Sequence, residues 1–264
     1  MDESSNSELF TLASITSHGG QWWHFENAWT NWLEKQNAEL RQQSRKTISR
    51  FKASDCSCFK NEFSDWTKEE QVRFLEGALT VLGRHTMVMF SYTCQLRDFE
   101  DQFPEANNAH KTKALAYAIL LYYLMKDMGE RILGNKKYSS ESISIVHDQT
   151  AGFDAVLLDA FNDQLADENF KFRKQFTTIA PMSWKDCVLL QPADLIAYEN
   201  FKISERVHSG HGMRKIMEYI LDLRSVGGRG AELTPENVRT IRGSLTKDQL
   251  HKLFAIARIK THRS

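Results

Sequence analysis

Apolar and polar residues alternate along the chain at two periods, and the changes between them mark out the elements. Residues 8–17, "ELFTLASITS", are nearly continuously apolar at their centre and predict a strand. In "GQWWHFENAWTNWLEKQNAEL" the residues Trp22, Phe25, Trp29, Trp32 and Leu33 return at helical spacing. That stripe predicts core packing rather than a ligand box. A second helix opens in "SDWTKEEQVRFLEGALTVLG", where Thr67 and Glu70 form a capping box and Gly83 offers a stop. Residues 85–93, "HTMVMFSYT", predict a strand, and "RDFEDQFPEANN" predicts a loop. Residues 108–133 predict a long apolar helix around "KALAYAILLYYLMKDMGERIL". "SISIVHD", residues 142–148, is a β-branched strand that ends on an acid. "AGFDAVLLDAFNDQL" predicts a helix, "QFTTIAPMS" a strand, and residues 190–208, opening in "LLQPADLIAYENFK", a further helix.

This order predicts the α/β class: a mixed central sheet with flanking helices, and a helical insertion over about residues 20–84 between the second and third strands. After His208 the pattern changes. "SGHGM" and "SVGGRG" are glycine-rich, and the rest reads as two short helices with Thr234 and Thr246 as N-caps. The expected organisation is one domain over residues 1–209 and a small basic helical extension over residues 210–264.

Composition adds little at 264 residues, 41% hydrophobic and 26% charged, with 34 basic and 34 acidic residues. Distribution says more. A basic run contains Arg41, Arg45, Lys46, Arg50 and Lys52, and residues 224–264 hold nine Lys or Arg against three Asp or Glu. Segments 41–52 and 224–264 are therefore candidate contacts for a nucleic-acid backbone. A solvated surface would carry the same charges.

Of the four cysteines, Cys56 and Cys58 form a lone C-x-C with no second pair, so reduced thiols are expected rather than a zinc site. No apolar run is long enough for a membrane span, and the start lacks signal-peptide character, so a cytoplasmic location is expected. The histidines His18, His24, His208 and His211 carry no ligand pattern.

Three acids stand out by position. Asp2 lies in "DES", Asp148 ends the strand "SIVHD", and Asp194 sits early in the helix "QPADLIAYE". Acids at strand ends and on a neighbouring helix can converge on one rim of a sheet, and hard cations need such oxygen clusters. Simpler roles compete. With Pro192 at the first helical position, Asp194 at the third would be favoured by the helix dipole alone. Asp148 could cap a turn. An HD-type metal phosphohydrolase is disfavoured, because alternation along a strand sends His147 and Asp148 to opposite faces and His110 is the one upstream partner.

Together, the "DES" start, the "FTLASI" strand, the "SIVHD" strand and the "LQPADLIAYENFK" helix resemble the bacterial family catalogued as domain of unknown function 3800, placed in the RNase H-like superfamily. Typical members run an apolar strand into D-E-S-G and carry a late Q-x-A-D-x-x-A-Y helix. Gln191, Ala193, Asp194, Ala197 and Tyr198 match the helix, and Asp2, Glu3 and Ser4 match the start, with Ser5 where glycine is usual. The resemblance runs from residue 1 to about 209. It implies an RNase H-like sheet, with Asp2, Asp148 and Asp194 as catalytic acids holding Mg²⁺ or Mn²⁺ in a nuclease or phosphodiesterase. Glu130 is a candidate fourth acid. Glu199 falls roughly 140° around the helix from Asp194 and is expected to face elsewhere. One departure is the missing strand before Asp2, which predicts an incomplete sheet with Asp2 on a loose terminus. The alternative reading is a non-catalytic nucleic-acid-binding or protein-interaction protein on the same scaffold.

Overall fold

The structure is a computed structural model and describes residues 1–85, 88–149, 152–212, 216, 218 and 229–245. The described elements, in chain order, are β1 (Asp2–Ser5), β2 (Leu9–Thr16), α1 (Gly19–Gln42), α2 (Ala53–Ser57), α3 (Lys68–His85), β3 (Val88–Gln95), α4 (Leu96–Gln102), α5 (Ala109–Met128), β4 (Ile143–Asp148), α6 (Asp154–Ala166), β5 (Phe176–Met182), α7 (Leu190–His208), β6 (Arg229–Leu233) and α8 (Pro235–Ser244). The class is α/β as expected. The helical insertion between β2 and β3 is present as α1 to α3. Among the described residues no helix is long and apolar enough to cross a membrane.

The strands fall into two sheets, where one central sheet was expected. One has the order β1-β2-β3-β6, and the other is the pair β4-β5. β4 and β5 run parallel, with α6 in the crossover that parallel neighbours need, and with Ile145 opposite Ile179 and Asp148 opposite Met182. The chain divides into two compact units: Met1–Ser4 with Ala13–Ser91 and Trp184–Gly230, and Ser5–Leu12 with Tyr92–Ser183 and Ala231–Ser264.

The first unit is built on the aromatic stripe of α1. Phe25 and Trp29 are fully buried, and Trp22, Trp32 and Leu33 pack against the same cluster. Phe51, Phe63 and Phe74 complete it, with the Phe51 and Phe74 rings 5.5 Å apart. The helix α7 adds Leu195, Ile196 and Ala197. The capping box at the head of α3 forms as read: the Thr67 hydroxyl accepts from Glu70 N–H at 3.2 Å, and Glu70 accepts from Thr67 N–H at 2.7 Å. Gly83 does not stop α3, which runs to His85.

The second unit centres on α5. This helix is buried on nearly every side from Ala114 to Leu121, the pattern of a core helix. Asn108 caps it, accepting from Lys111 N–H at 3.0 Å. The helix closes in a single π turn, Gly129–Leu133. A side chain at Gly129 would place its Cβ 2.2 Å from the Phe172 ring, so glycine is what lets ring and turn meet.

Four expectations are corrected. The stretch read as a loop contains α4, because Leu96, Phe99 and Phe103 are spaced along one helical face and are all buried beneath their acidic neighbours. Secondly, the C-terminal extension is not wholly helical. β6 joins the sheet beside β3, and its "RGAEL" is too short and glycine-broken to show a period. The cap at Thr234 is present, with Asn237 completing the box, whereas Thr246 lies outside the described residues. Thirdly, Asp2 does not sit on a loose terminus. "DESS" is itself β1, hairpinned onto β2 through a turn in which the Asn6 side chain accepts from Glu8 and Leu9 N–H. Finally, α7 starts at Leu190, so Pro192 is its third residue and Asp194 its fifth. Proline is tolerated through the first turn, where N–H groups lack helical partners, and so it marks that turn without fixing its first residue.

Candidate functional site

The segment from Arg45 to Ala53 crosses the first unit as a strap, and the helix α7 holds it. Asn37 clamps Ile48 from both sides, donating to its carbonyl at 3.0 Å and accepting from its N–H at 2.7 Å. Gln191 Oε1 accepts from Phe51 N–H at 3.3 Å and from Trp29 Nε1 at 3.4 Å. Asp194 Oδ2 accepts from Ala53 N–H at 2.7 Å, at the start of α2. Further along, Cys58 Sγ lies 3.9 Å from the Tyr198 hydroxyl. Burial pushes the Tyr198 phenol well above its usual range. The polar residues of the Q-x-A-D-x-x-A-Y motif therefore share one task, satisfying and fixing the insertion that follows α1. Ala193 and Ala197, both fully buried, keep that helix face flat enough for close packing.

Asp2 lies in this same unit, near enough to Asp194 to feel its charge. Asp2 is buried on β1, with 7% of its surface exposed, and its Oδ1 accepts from Glu3 N–H at 2.8 Å. Its pKa is raised well above the ordinary carboxylate range, first by burial, then by the charge of Asp194, then by Glu3. Asp194 is half-buried. A buried acid facing a second acid is an arrangement that a proton or a cation relieves.

The folded state therefore binds the Asp2 proton more tightly than the unfolded chain does. This contribution to stability is complete below the ordinary value near 3.8 and is lost as pH rises through the raised value. Asp2→Asn is accordingly expected to be more stable than the native protein at neutral pH and to lose that part of the pH slope. Thermal midpoints of both proteins across acid to neutral pH check this; parallel curves would contradict it.

Asp148 belongs to the second unit, at the end of β4. Its Oδ1 accepts from Gln149 N–H at 3.1 Å. The preceding His147 is buried, and its Nδ1 donates to the Asp148 carbonyl at 3.0 Å and lies 3.8 Å from Asp154. Burial lowers the His147 pKa. The strand thus turns His147 inward and Asp148 outward, as alternation requires. Glu130 is exposed. The buried acid on α5 is Asp127, which accepts a hydrogen bond from the buried Tyr92 hydroxyl. Its signal in the sequence was an acid within an apolar run. Glu199 is completely buried within α7. All four cysteines are free thiols.

Among the described residues no group of three or more His, Cys, Asp or Glu is placed to hold a metal ion. What the first unit supplies is the pair Asp2 and Asp194. Two carboxylates suit Mg²⁺, which is held by one or two protein carboxylates with water and substrate phosphate as its other ligands. The pair has the donor chemistry of a hard divalent cation's ligands without forming a complete ligand set among the described residues.

The basic run resolves into two parts. Arg45 is taken up by Asp65 at 3.0 Å and Glu70 at 2.5 Å, and Arg41 by Glu34. Lys46, Arg50 and Lys52 line a groove of about 520 Å³ with Ser49 and Trp184. Within the tail, Arg239 pairs with Glu236 and Arg242 with Glu105. Compared with known protein families, curated proteins and solved structures, the chain has no significant match.

Proposed function

We propose that the protein is a metal-dependent phosphodiester hydrolase of the nuclease type, on the RNase H-like scaffold that its motifs resemble. The observation that supports this reading is the buried Asp2 carboxylate, near enough to Asp194 on the motif helix for that charge to raise its pKa. Asp2 and Asp194 would hold Mg²⁺ or Mn²⁺, which when bound activates water and neutralises charge on the phosphate. The chain's own contribution is position. Ala53 N–H fixes the Asp194 carboxylate and Glu3 N–H fixes that of Asp2. Burial of Asp2 lowers the local dielectric and strengthens its hold on a cation. Of basic segments 41–52 and 224–264, the first would hold a nucleic-acid backbone through Lys46, Arg50 and Lys52 rather than through the paired Arg41 and Arg45. The first has the stronger support, because three of its basic residues line one groove, whereas Arg239 and Arg242 in the second are paired with acids.

One observation favours a non-catalytic interaction protein instead. The Asp194 bond to Ala53 gives that acid a structural role that needs no metal. The two readings part in a cleavage assay on labelled single-stranded, duplex and hybrid nucleic acids with Mg²⁺ or Mn²⁺. The hydrolase reading expects cleavage that stops on chelation with EDTA. The resemblance assigns Asp148 to the same activity, so Asp148→Asn should lower it by about tenfold or more. Cleavage unaffected by EDTA, or none with any substrate, would remove the hydrolase reading.

A further inference from the structure

We propose that the groove formed by Lys46, Ser49, Arg50, Lys52 and Trp184 is the track for a single strand of nucleic acid, with phosphates on Lys46 and Lys52 and a base against the Trp184–Arg50 pair. The inference deepens the hydrolase reading by naming its substrate class. It can fail separately, because binding is measured without metal.

Three observations carry it. The first is the composition of the groove. Single-strand tracks combine cations along the backbone with an aromatic face that any base can stack on. Here the Arg50 guanidinium lies 5.0 Å from the centre of the Trp184 ring, and Lys185 Nζ lies 5.7 Å from it. Two cations on one half-exposed indole are an aromatic platform set among positive charges.

The second is rigidity. Along the strap Ile48, Phe51 and Ala53 are buried while Ser49 and Lys52 are exposed. Bonds to Asn37, Gln191 and Asp194 fix the backbone at the buried positions. The outward side chains are therefore presented from a held segment, which reduces the ordering cost of binding. Lys52 immediately precedes Ala53, whose N–H bonds Asp194, so the same held segment carries a groove cation and the anchor of that acid.

The third is size. A groove of about 520 Å³ lies within the range of small-ligand sites and suits one nucleotide unit of a flexible strand. A duplex would have to flip a nucleotide out of its stack to reach it, at a cost that a single strand does not incur. Two acids also line the groove, Asp55 bonded by Asn61 and Glu62 bonded by Ser49. Three bases against two acids predict moderate and strongly salt-dependent affinity.

The test is fluorescence anisotropy of the full chain with a short fluorescein-labelled oligothymidylate in EDTA, as a function of salt. The expected result is binding that weakens about tenfold or more at low salt in Lys46→Ala/Lys52→Ala, with the log–log salt slope reduced by about 1.4. Trp184→Leu should cost between about fivefold and a hundredfold, the range for one base stack. Arg41→Ala, outside the groove and paired with Glu34, should change little. Glu62→Gln should tighten binding by removing a like charge. Far-UV circular dichroism of each variant shows whether the fold is kept. Binding unchanged in the double lysine variant, or a duplex bound as tightly as the single strand, would overturn the proposal. Binding without cleavage would leave the groove standing and remove the hydrolase reading alone.

Discussion

Asp194→Asn is expected to abolish metal-dependent cleavage while leaving the fold in place. The two roles of this residue separate because an amide oxygen still accepts the Ala53 N–H, while the negative charge that a cation needs is gone. Loss of a group that merely orients a metal ligand costs about 10- to 100-fold, so loss of the ligand's own charge should cost about a hundredfold or more. Stability should hold or rise in this variant, since Asp2 no longer faces a second charge. Asp194→Ala behaves differently: it strips the acceptor as well and leaves a backbone donor at the start of α2 without its partner, at about 1–3 kcal/mol. The informative comparison is the cleavage rate and urea midpoint of the two variants side by side. Full cleavage by Asp194→Asn would reduce Asp194 to an anchor for the strap.

Phe51→Ala is expected to be the most destabilising single change in the first unit, at about 3–5 kcal/mol by urea unfolding. Phe51 has no exposed surface and packs against Trp29, Phe63 and Phe74, with ring centroids 6.0, 6.4 and 5.5 Å away. No neighbour can close the cavity cheaply, because those rings also pack on one another. The loss reaches the groove too. Phe51 lies between Arg50 and Lys52, and its ring pins the strap from which both cations project. Oligonucleotide binding should therefore weaken in this variant even below the temperature at which the unit unfolds. A destabilisation under about 1 kcal/mol, the scale of a surface change, would show that the strap is not part of this core.

The long elements were legible because their signals are local. The stripe of α1, the box that opens α3 and the apolar run of α5 each repeat a period or a cap within a few residues. α4 was hidden because the buried Leu96, Phe99 and Phe103 are interleaved with three acids within a span of eight, so polarity masked the helical face. β6 had too few residues to show an alternation. The site was legible in one half. Asp2 and Asp194 could be picked out as candidate acids, but the partner that fixes Asp194 is a backbone N–H at Ala53, which has no side-chain signature. The motif residues Gln191 and Tyr198 likewise stood out without revealing that they hold the strap. The basic run was visible as charge. Which of its members remain for a ligand depends on Asp65 and Glu70, fifteen or more residues away and brought to Arg45 by folding alone.

The proposed holding of a divalent cation by Asp2 and Asp194 is checked by the binding of Mn²⁺. Electron paramagnetic resonance of free Mn²⁺ titrated with the protein reports occupancy with no substrate and no turnover. One saturable site is expected in the native chain, competed by Mg²⁺ and lost in both Asp2→Asn and Asp194→Asn while their circular dichroism is unchanged. Equal Mn²⁺ binding by the native protein and both variants, or none by the native protein, would contradict it.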